Sequence, residues 1–155
     1  MDTIFNAIRS ENYESVKSFI ESNPNSIHAK DHRGSTPLLL ASYYGLEKIT
    51  KLILGYSPDI DEQDSAGNTA LMGVCFKGYH TIAKLLIESG ADVNQKNCND
   101  ATALIYAATF GQIEIIKLLL ESGADMHAKD NQGYTAEMHA NHQGLKLSEL
   151  FNLTK

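Results

Sequence analysis

Residues Glu88–Lys96 read ESGADVNQK and residues Glu121–Lys129 read ESGADMHAK, 33 residues apart in a chain of 155. Repetition on this scale decides the architecture before any side-chain chemistry is considered. A unit so short cannot enclose a core by itself and has to stack on its neighbours. The same step links Thr36, Thr69, Thr102 and Thr135, and again Gly45, Gly78, Gly111 and Gly144. Asp31, Asp64, Asn97 and Asp130 share the period, as do Ile49, Ile82 and Ile115. The N-terminal segment joins with an offset of 34, Ala7 standing against Ala41, and the extra residue falls in SNPNS at Ser22–Ser26. Five units therefore tile the chain as one domain, at about 1–30, 31–63, 64–96, 97–129 and 130–155.

Each unit carries the same local signals. In STPLLLASYYG, Thr36 is placed to cap a helix and Pro37 takes the first helical position, where its missing N–H costs nothing. Leu38, Leu40 and Ala41 supply an apolar stripe, and Gly45 closes the helix. A second helix follows, as in QIEIIKLLLESG, where Ile115, Ile116, Leu118, Leu119 and Leu120 form the buried side. Glu114, Lys117 and Glu121 form its wet side, and Gly123 ends it. The stretch ADMHAKDNQGY has no helical period and carries the turn formers Asp130, Asn131 and Gly133. The expected fold is an all-α solenoid of helix–turn–helix units joined by β-turn loops. Polar swaps in the last unit fit a terminal cap: Glu137 in the series of Leu38, Leu71 and Leu104, Ser148 in the isoleucine series, and Asn152 beyond it.

Composition narrows the function. With 43% hydrophobic and 21% charged residues, the chain is ordinary for a soluble globular protein. Its net charge of −6, without a run of Lys and Arg, disfavours nucleic acid and anionic membranes. The apolar runs are too short to span a bilayer, and MDTIFNAIRS lacks the pattern of a secretory signal. Cys75 and Cys98 give neither a disulfide framework nor a metal-binding CxxC spacing, so a cytoplasmic location is expected.

The repeated stretches GSTPLLLASYYG, GNTALMGVCFKG, DATALIYAATFG and GYTAEMHANHQG resemble the signature of the ankyrin-repeat family. LLIESGADVNQK and LLLESGADMHAK resemble the family's unit ending. There are departures. Only Pro37 keeps the signature proline, Ala70, Ala103 and Ala136 replacing it elsewhere. The signature histidine gives way to Leu39, Met72, Ile105 and Met138, which leaves apolar packing to hold those turns. Asp100 replaces a turn glycine at a position of expected positive φ, and Ser57–Pro58 replaces Gly–Ala, giving an expected stiffer or slightly reshaped turn.

The resemblance implies a non-catalytic protein-binding module that uses its concave face and turn tips. The matching turn residues include His32, Arg33, Asn68, Asn99, Gln132 and Tyr134, with Cys98 on the third tip. The matching helix pairs are Arg9–Ser10, Tyr43–Tyr44, Phe76–Lys77, Thr109–Phe110 and His142–Gln143. Tyr43, Tyr44, Phe76 and Phe110 gather across three units and are the expected anchors, although rings at these positions could instead pack between units. Tyr106 belongs with the core-facing series of Leu40, Gly73 and His139. Two other readings stay open: a regulator that occludes an enzyme or the cytoplasmic face of a membrane protein, and a metal or small-ligand binder. His139 and His142 have a metal-compatible spacing but no third ligand, and no cofactor is implied. Asn94 matches the position at which ankyrin-type asparagines are hydroxylated; its plain reading is a turn stabiliser.

Overall fold

The computed structural model describes residues 3–154, so Met1 and Asp2 of the expected first unit and Lys155 of the last lie outside it. Among the described residues the chain forms ten α-helices in five antiparallel pairs. They are α1 Ile4–Arg9 with α2 Tyr13–Ser22, α3 Pro37–Tyr43 with α4 Glu47–Leu54, and α5 Ala70–Lys77 with α6 His80–Glu88. α7 Ala103–Thr109 pairs with α8 Ile113–Glu121, and α9 Ala136–His142 with α10 Leu147–Thr154. Odd-numbered helices pack side by side in one layer and even-numbered helices in a second. The core is continuous between the layers, because each unit covers the apolar face of the next. Leu38, Leu71 and Leu104 are almost wholly buried, each contributing roughly 2 kcal/mol of transfer free energy.

Local chemistry sets the helix boundaries as the sequence implies. The hydroxyls of Thr36, Thr69, Thr102 and Thr135 each accept a hydrogen bond from the backbone N–H three residues on, at 3.2, 3.3, 3.3 and 3.3 Å. Thr3 does the same for α1 at 3.2 Å. It stands one residue later than the 34-residue register requires, which is why α1 has 6 residues where α3 has 7. The extra residue near Ser22–Ser26 is absorbed by a short 3₁₀ turn, Pro24–His28.

Each of the four turns that open at Asp31, Asp64, Asn97 and Asp130 is held by that residue's side chain. Asp31 Oδ1 accepts from the N–H groups of Arg33 and Ser35 at 2.9 and 3.0 Å. Asp64, Asn97 and Asp130 repeat the arrangement. Adjacent turns are then tied together by the backbone. Ser65 N–H donates to Arg33 O at 3.0 Å, Cys98 N–H to Ala66 O at 3.0 Å and Asn131 N–H to Asn99 O at 2.9 Å.

Among the described residues, three non-glycines have positive φ: Glu11 at 55°, Ser57 at 54° and Asp100 at 58°. Each stands in a register where other units use glycine, Glu11 with Gly45, Ser57 with Gly90 and Asp100 with Gly67. The left-handed conformation at Asp100 is therefore as expected. The Ser57–Pro58 turn keeps the same backbone region as its glycine counterparts.

Polar residues of the last unit have two fates. Ser148 is exposed where Ile49, Ile82 and Ile115 are buried. Glu137 instead turns back and accepts from Leu147 N–H at 3.0 Å, so it caps α10 as well as adding polarity.

Replacing Ser57 or Asp100 by Gly is expected to stabilise the fold by about 0.5–1 kcal/mol each, since the strained φ is relieved without loss of a core contact. At Gly67 a Cβ would lie 2.7 Å from Cys98 N, whereas at Gly133 nothing lies within 4 Å. Gly67→Ala should therefore cost about 3 kcal/mol and Gly133→Ala only about 1 kcal/mol. Urea unfolding followed by circular dichroism measures all four; equal costs at Gly67 and Gly133 would remove the steric argument.

Candidate functional site

The C-terminal ends of α3, α5 and α7 lie side by side, so residues one period apart become neighbours in space. The Tyr43 and Phe76 rings stack, with centroids 6.4 Å apart and planes 15° from parallel. Phe76 and Phe110 meet edge to face at 4.8 Å, and Tyr44 lies 6.4 Å from Tyr43. The four rings thus form one continuous strip across three units. Packing does not consume them: Tyr43, Tyr44, Phe76 and Phe110 remain 40%, 47%, 41% and 47% exposed. Lys77 Nζ lies 5.1 Å from the Tyr43 ring centroid and 5.9 Å from that of Tyr79, within reach of a cation–π attraction.

Beside the strip is a recess of about 780 Å³, floored by α3 and α5 and walled by the first two turns. Its floor is low because Gly73 occupies the register filled by Leu40 in one neighbour and Tyr106 in the other. A Cβ at Gly73 would sit 3.3 Å from the Tyr43 ring. His32 and Arg33 are exposed at the first turn and line the recess with Arg9 of α1. Arg9 Nη2 is 3.7 Å from Asp31 Oδ2, but the arginine side chain is 41% exposed and the carboxylate only 9%. Sequence reasoning put Arg9 in the correct register without seeing this pair, because the two residues come from different units.

The remaining candidates are distributed. Asn68 is half-buried, and its Oδ1 accepts from Asn97 Nδ2 at 2.9 Å and from the Tyr106 hydroxyl at 3.4 Å. It forms a wall of the recess rather than a free tip. Asn99 and Gln132 are exposed on the third and fourth turns, beyond the recess. Tyr134 is exposed as well but packs edge to face on His139 at 5.7 Å, apart from the four-ring strip.

A family model described as ankyrin repeats (3 copies) matches residues 4–97 and 95–150. The chain belongs to the ankyrin-repeat family. Ankyrin repeats are in general protein–protein interaction modules without catalytic activity. A search of curated proteins finds no match.

Set in the ankyrin-repeat frame, the unusual residues acquire local explanations. The threonine caps persist without the signature histidine, and Leu39, Met72 and Ile105 are buried in its place. Met138, on the last helix pair of the described residues, is 44% exposed. Tyr106 and His139 each reach back to their own turn: the Tyr106 hydroxyl accepts from Asn97 Nδ2 at 2.9 Å, and His139 Nε2 lies 2.9 Å from Asp130 Oδ2. His139 thus has a carboxylate partner, and His142 is exposed. Among the described residues no group of three His, Cys, Asp or Glu is placed to hold a metal. Asn94 bridges loops, its Oδ1 accepting from Asp125 N–H at 2.7 Å and its Nδ2 donating to Gly123 O at 3.2 Å. Asp61 makes the equivalent bond to Asp92 N–H at 2.9 Å. Burial pushes the Cys75 thiol far above its ordinary value, as befits a small core side chain.

Burial opposes ionisation of Asp130, but the hydrogen bonds from His139, Tyr134 N–H and Gln132 N–H outweigh it and hold the carboxyl below the usual aspartate value. A lowered folded-state pKa adds stability that is present above the unfolded-state value and lost as pH falls through the folded one. Asp130→Asn should therefore be less stable than wild type near neutrality, and the difference should close as pH falls below about 4. Urea midpoints measured across that range test this; a difference that persists unchanged at the acid end would assign the effect to packing.

Proposed function

We propose that this ankyrin-repeat chain binds a partner protein through the four-ring strip and the adjoining turns, and does no chemistry of its own. The observation that carries the reading is the strip itself. Tyr43, Tyr44, Phe76 and Phe110 touch one another, yet each keeps two-fifths or more of its surface in water. Rings that needed only to fill space between units would be covered by them. Because each ring already leans on another, little side-chain freedom remains to be lost on docking, and an anchor of this kind is worth ~2 kcal/mol or more. His32, Arg33, Asn99 and Gln132 supply polar edges around the strip. A cytoplasmic setting belongs to the same proposal, supported by two cysteines that are both unpaired.

The test is an affinity capture from lysate, read by mass spectrometry, comparing wild type with Tyr44→Ala/Phe110→Ala. Tyr13→Ala, on the outer helix α2, serves as an exposed-aromatic control. A protein retained by wild type and by the control, and lost by the folded double variant, is the expected result. Identical captures by all three would move the binding surface to the outer helices or the more distant turns.

A further inference from the structure

The recess beside the ring strip has an uneven distribution of charge. Its two carboxylates lie low and are already engaged. Asp31 and Asp64 each accept two backbone N–H bonds within their turns, and Asp31 also faces Arg9. The cations are more exposed: Arg9 and Arg33 line the recess, and Lys77, outside the lining, is held over the lining residue Tyr43. Glu11 and Asp100, exposed near the first and third turns, are not among the residues that line the recess. Other exposed acids, Glu47, Glu88 and Glu114 among them, are carried on the even-numbered helices. The lining balances two arginines against two engaged carboxylates, and Lys77 beside Tyr43 tips the aromatic edge of the hollow to positive in a chain of net charge −6. No run of Lys and Arg announces it, because its cations come from three different units.

We infer that this hollow receives an acidic segment of the partner protein, its carboxylates set against Arg9, Arg33 and Lys77 and its apolar side chains on Tyr43, Tyr44 and Phe76. The inference rests on the proposed use of the ring strip and adds the chemistry of the partner. Arginine at the rim suits bidentate recognition of carboxylates, and Tyr43 and Tyr44, which line the recess, offer it an apolar edge. A peptide fits better than a nucleic acid. A polynucleotide carries charge at every step and would meet the acidic remainder of the surface, whereas a short acidic segment interacts only with the hollow.

The experiment is fluorescence anisotropy on the whole chain with labelled synthetic peptides built from a Glu-Phe-Glu-Glu-Leu repeat. Matched peptides carry Gln or Lys in place of Glu, and a labelled single-stranded oligonucleotide completes the set. The acidic peptide should bind at least about tenfold tighter than the glutamine peptide, and weaken on passing from about 50 to about 300 mM salt. The lysine peptide should bind more weakly still. Arg33→Gln/Lys77→Gln should lose about tenfold toward the acidic peptide while its circular dichroism and melting stay those of wild type.

Equal binding of the acidic and glutamine peptides, an unchanged affinity in the double variant, a dissociation constant above about 1 mM, or tighter binding of the oligonucleotide would each overturn the inference. The two proposals fail separately. Binding that ignores charge but is lost in Tyr44→Ala/Phe110→Ala keeps the ring strip and removes the acidic partner. Binding that needs Arg33 and Lys77 but survives loss of the rings keeps the acidic partner and removes the strip.

Discussion

The N–H groups of Ser65, Cys98 and Asn131 donate to the carbonyls of Arg33, Ala66 and Asn99, and the geometry of the binding side follows from these three bonds. They fix the distance between successive turns at one backbone hydrogen bond. Each turn is closed internally by the side-chain oxygen of its Asp or Asn, which accepts two N–H groups of that turn. The helices that follow are therefore delivered at a constant spacing, and side chains one period apart must meet. That is how Tyr43, Phe76 and Phe110, distant in sequence, come within ring-contact distance. The constraint also explains the glycines. The turn positions of Gly34 and Gly67 need positive φ, and they lie so close to the next turn that a Cβ would press on its backbone. At Asp100 the same conformation is kept by a residue whose short polar side chain tolerates it better than most.

Within this regular frame, the unequal residues of one series produce the site. Leu40, Gly73, Tyr106 and His139 occupy equivalent places, yet they do different things. Leu40 fills its space, while Gly73 leaves it open to the Tyr43 ring. Tyr106 and His139 extend further and bond to Asn97 and Asp130, which joins helix to turn. The recess lies where the series is smallest, and the polar struts lie where it is largest. Asn97 in place of aspartate suits the middle strut. Its Oδ1 accepts from two turn N–H groups, and its Nδ2 donates to both Asn68 and Tyr106, a donation that a carboxylate could not make.

Much of the architecture was legible because it depends on local chemistry repeated at a fixed step. The caps at Thr36, Thr69, Thr102 and Thr135 and the left-handed Asp100 are decided within four residues of chain. The aromatic residues of the strip could also be placed in register. Their partition between packing and exposure could not, since that depends on ring tilt across units, and the structure gives them both. The recess was less visible still. It depends on an absent side chain at Gly73 and on arginines from two units, Arg9 and Arg33, whose proximity no linear pattern encodes. Glu137 illustrates the same limit. As a polar residue in a leucine series it signals exposure, but its function is to accept from Leu147 N–H on the next helix.

Lys77 shows how the two parts of the site depend on each other. An isolated lysine on a helix end would sweep through solvent, and its charge would be spread and screened within a Debye length. Here the ammonium lies between the Tyr43 and Tyr79 rings, at 5.1 and 5.9 Å from their centroids. Those faces carry partial negative charge and hold the cation close to the strip. Tyr43 is itself steadied by stacking on Phe76, so the position of the charge rests on the aromatic packing. Truncating Tyr43 would thus remove more than one ring's contact area. It would release the lysine and leave Phe76 without its stacking partner, so charge and apolar surface would be lost together. Losses coupled in this way are not additive: once Tyr43 is gone, removing Lys77 as well costs less than it would alone, because one side chain supports two kinds of contact.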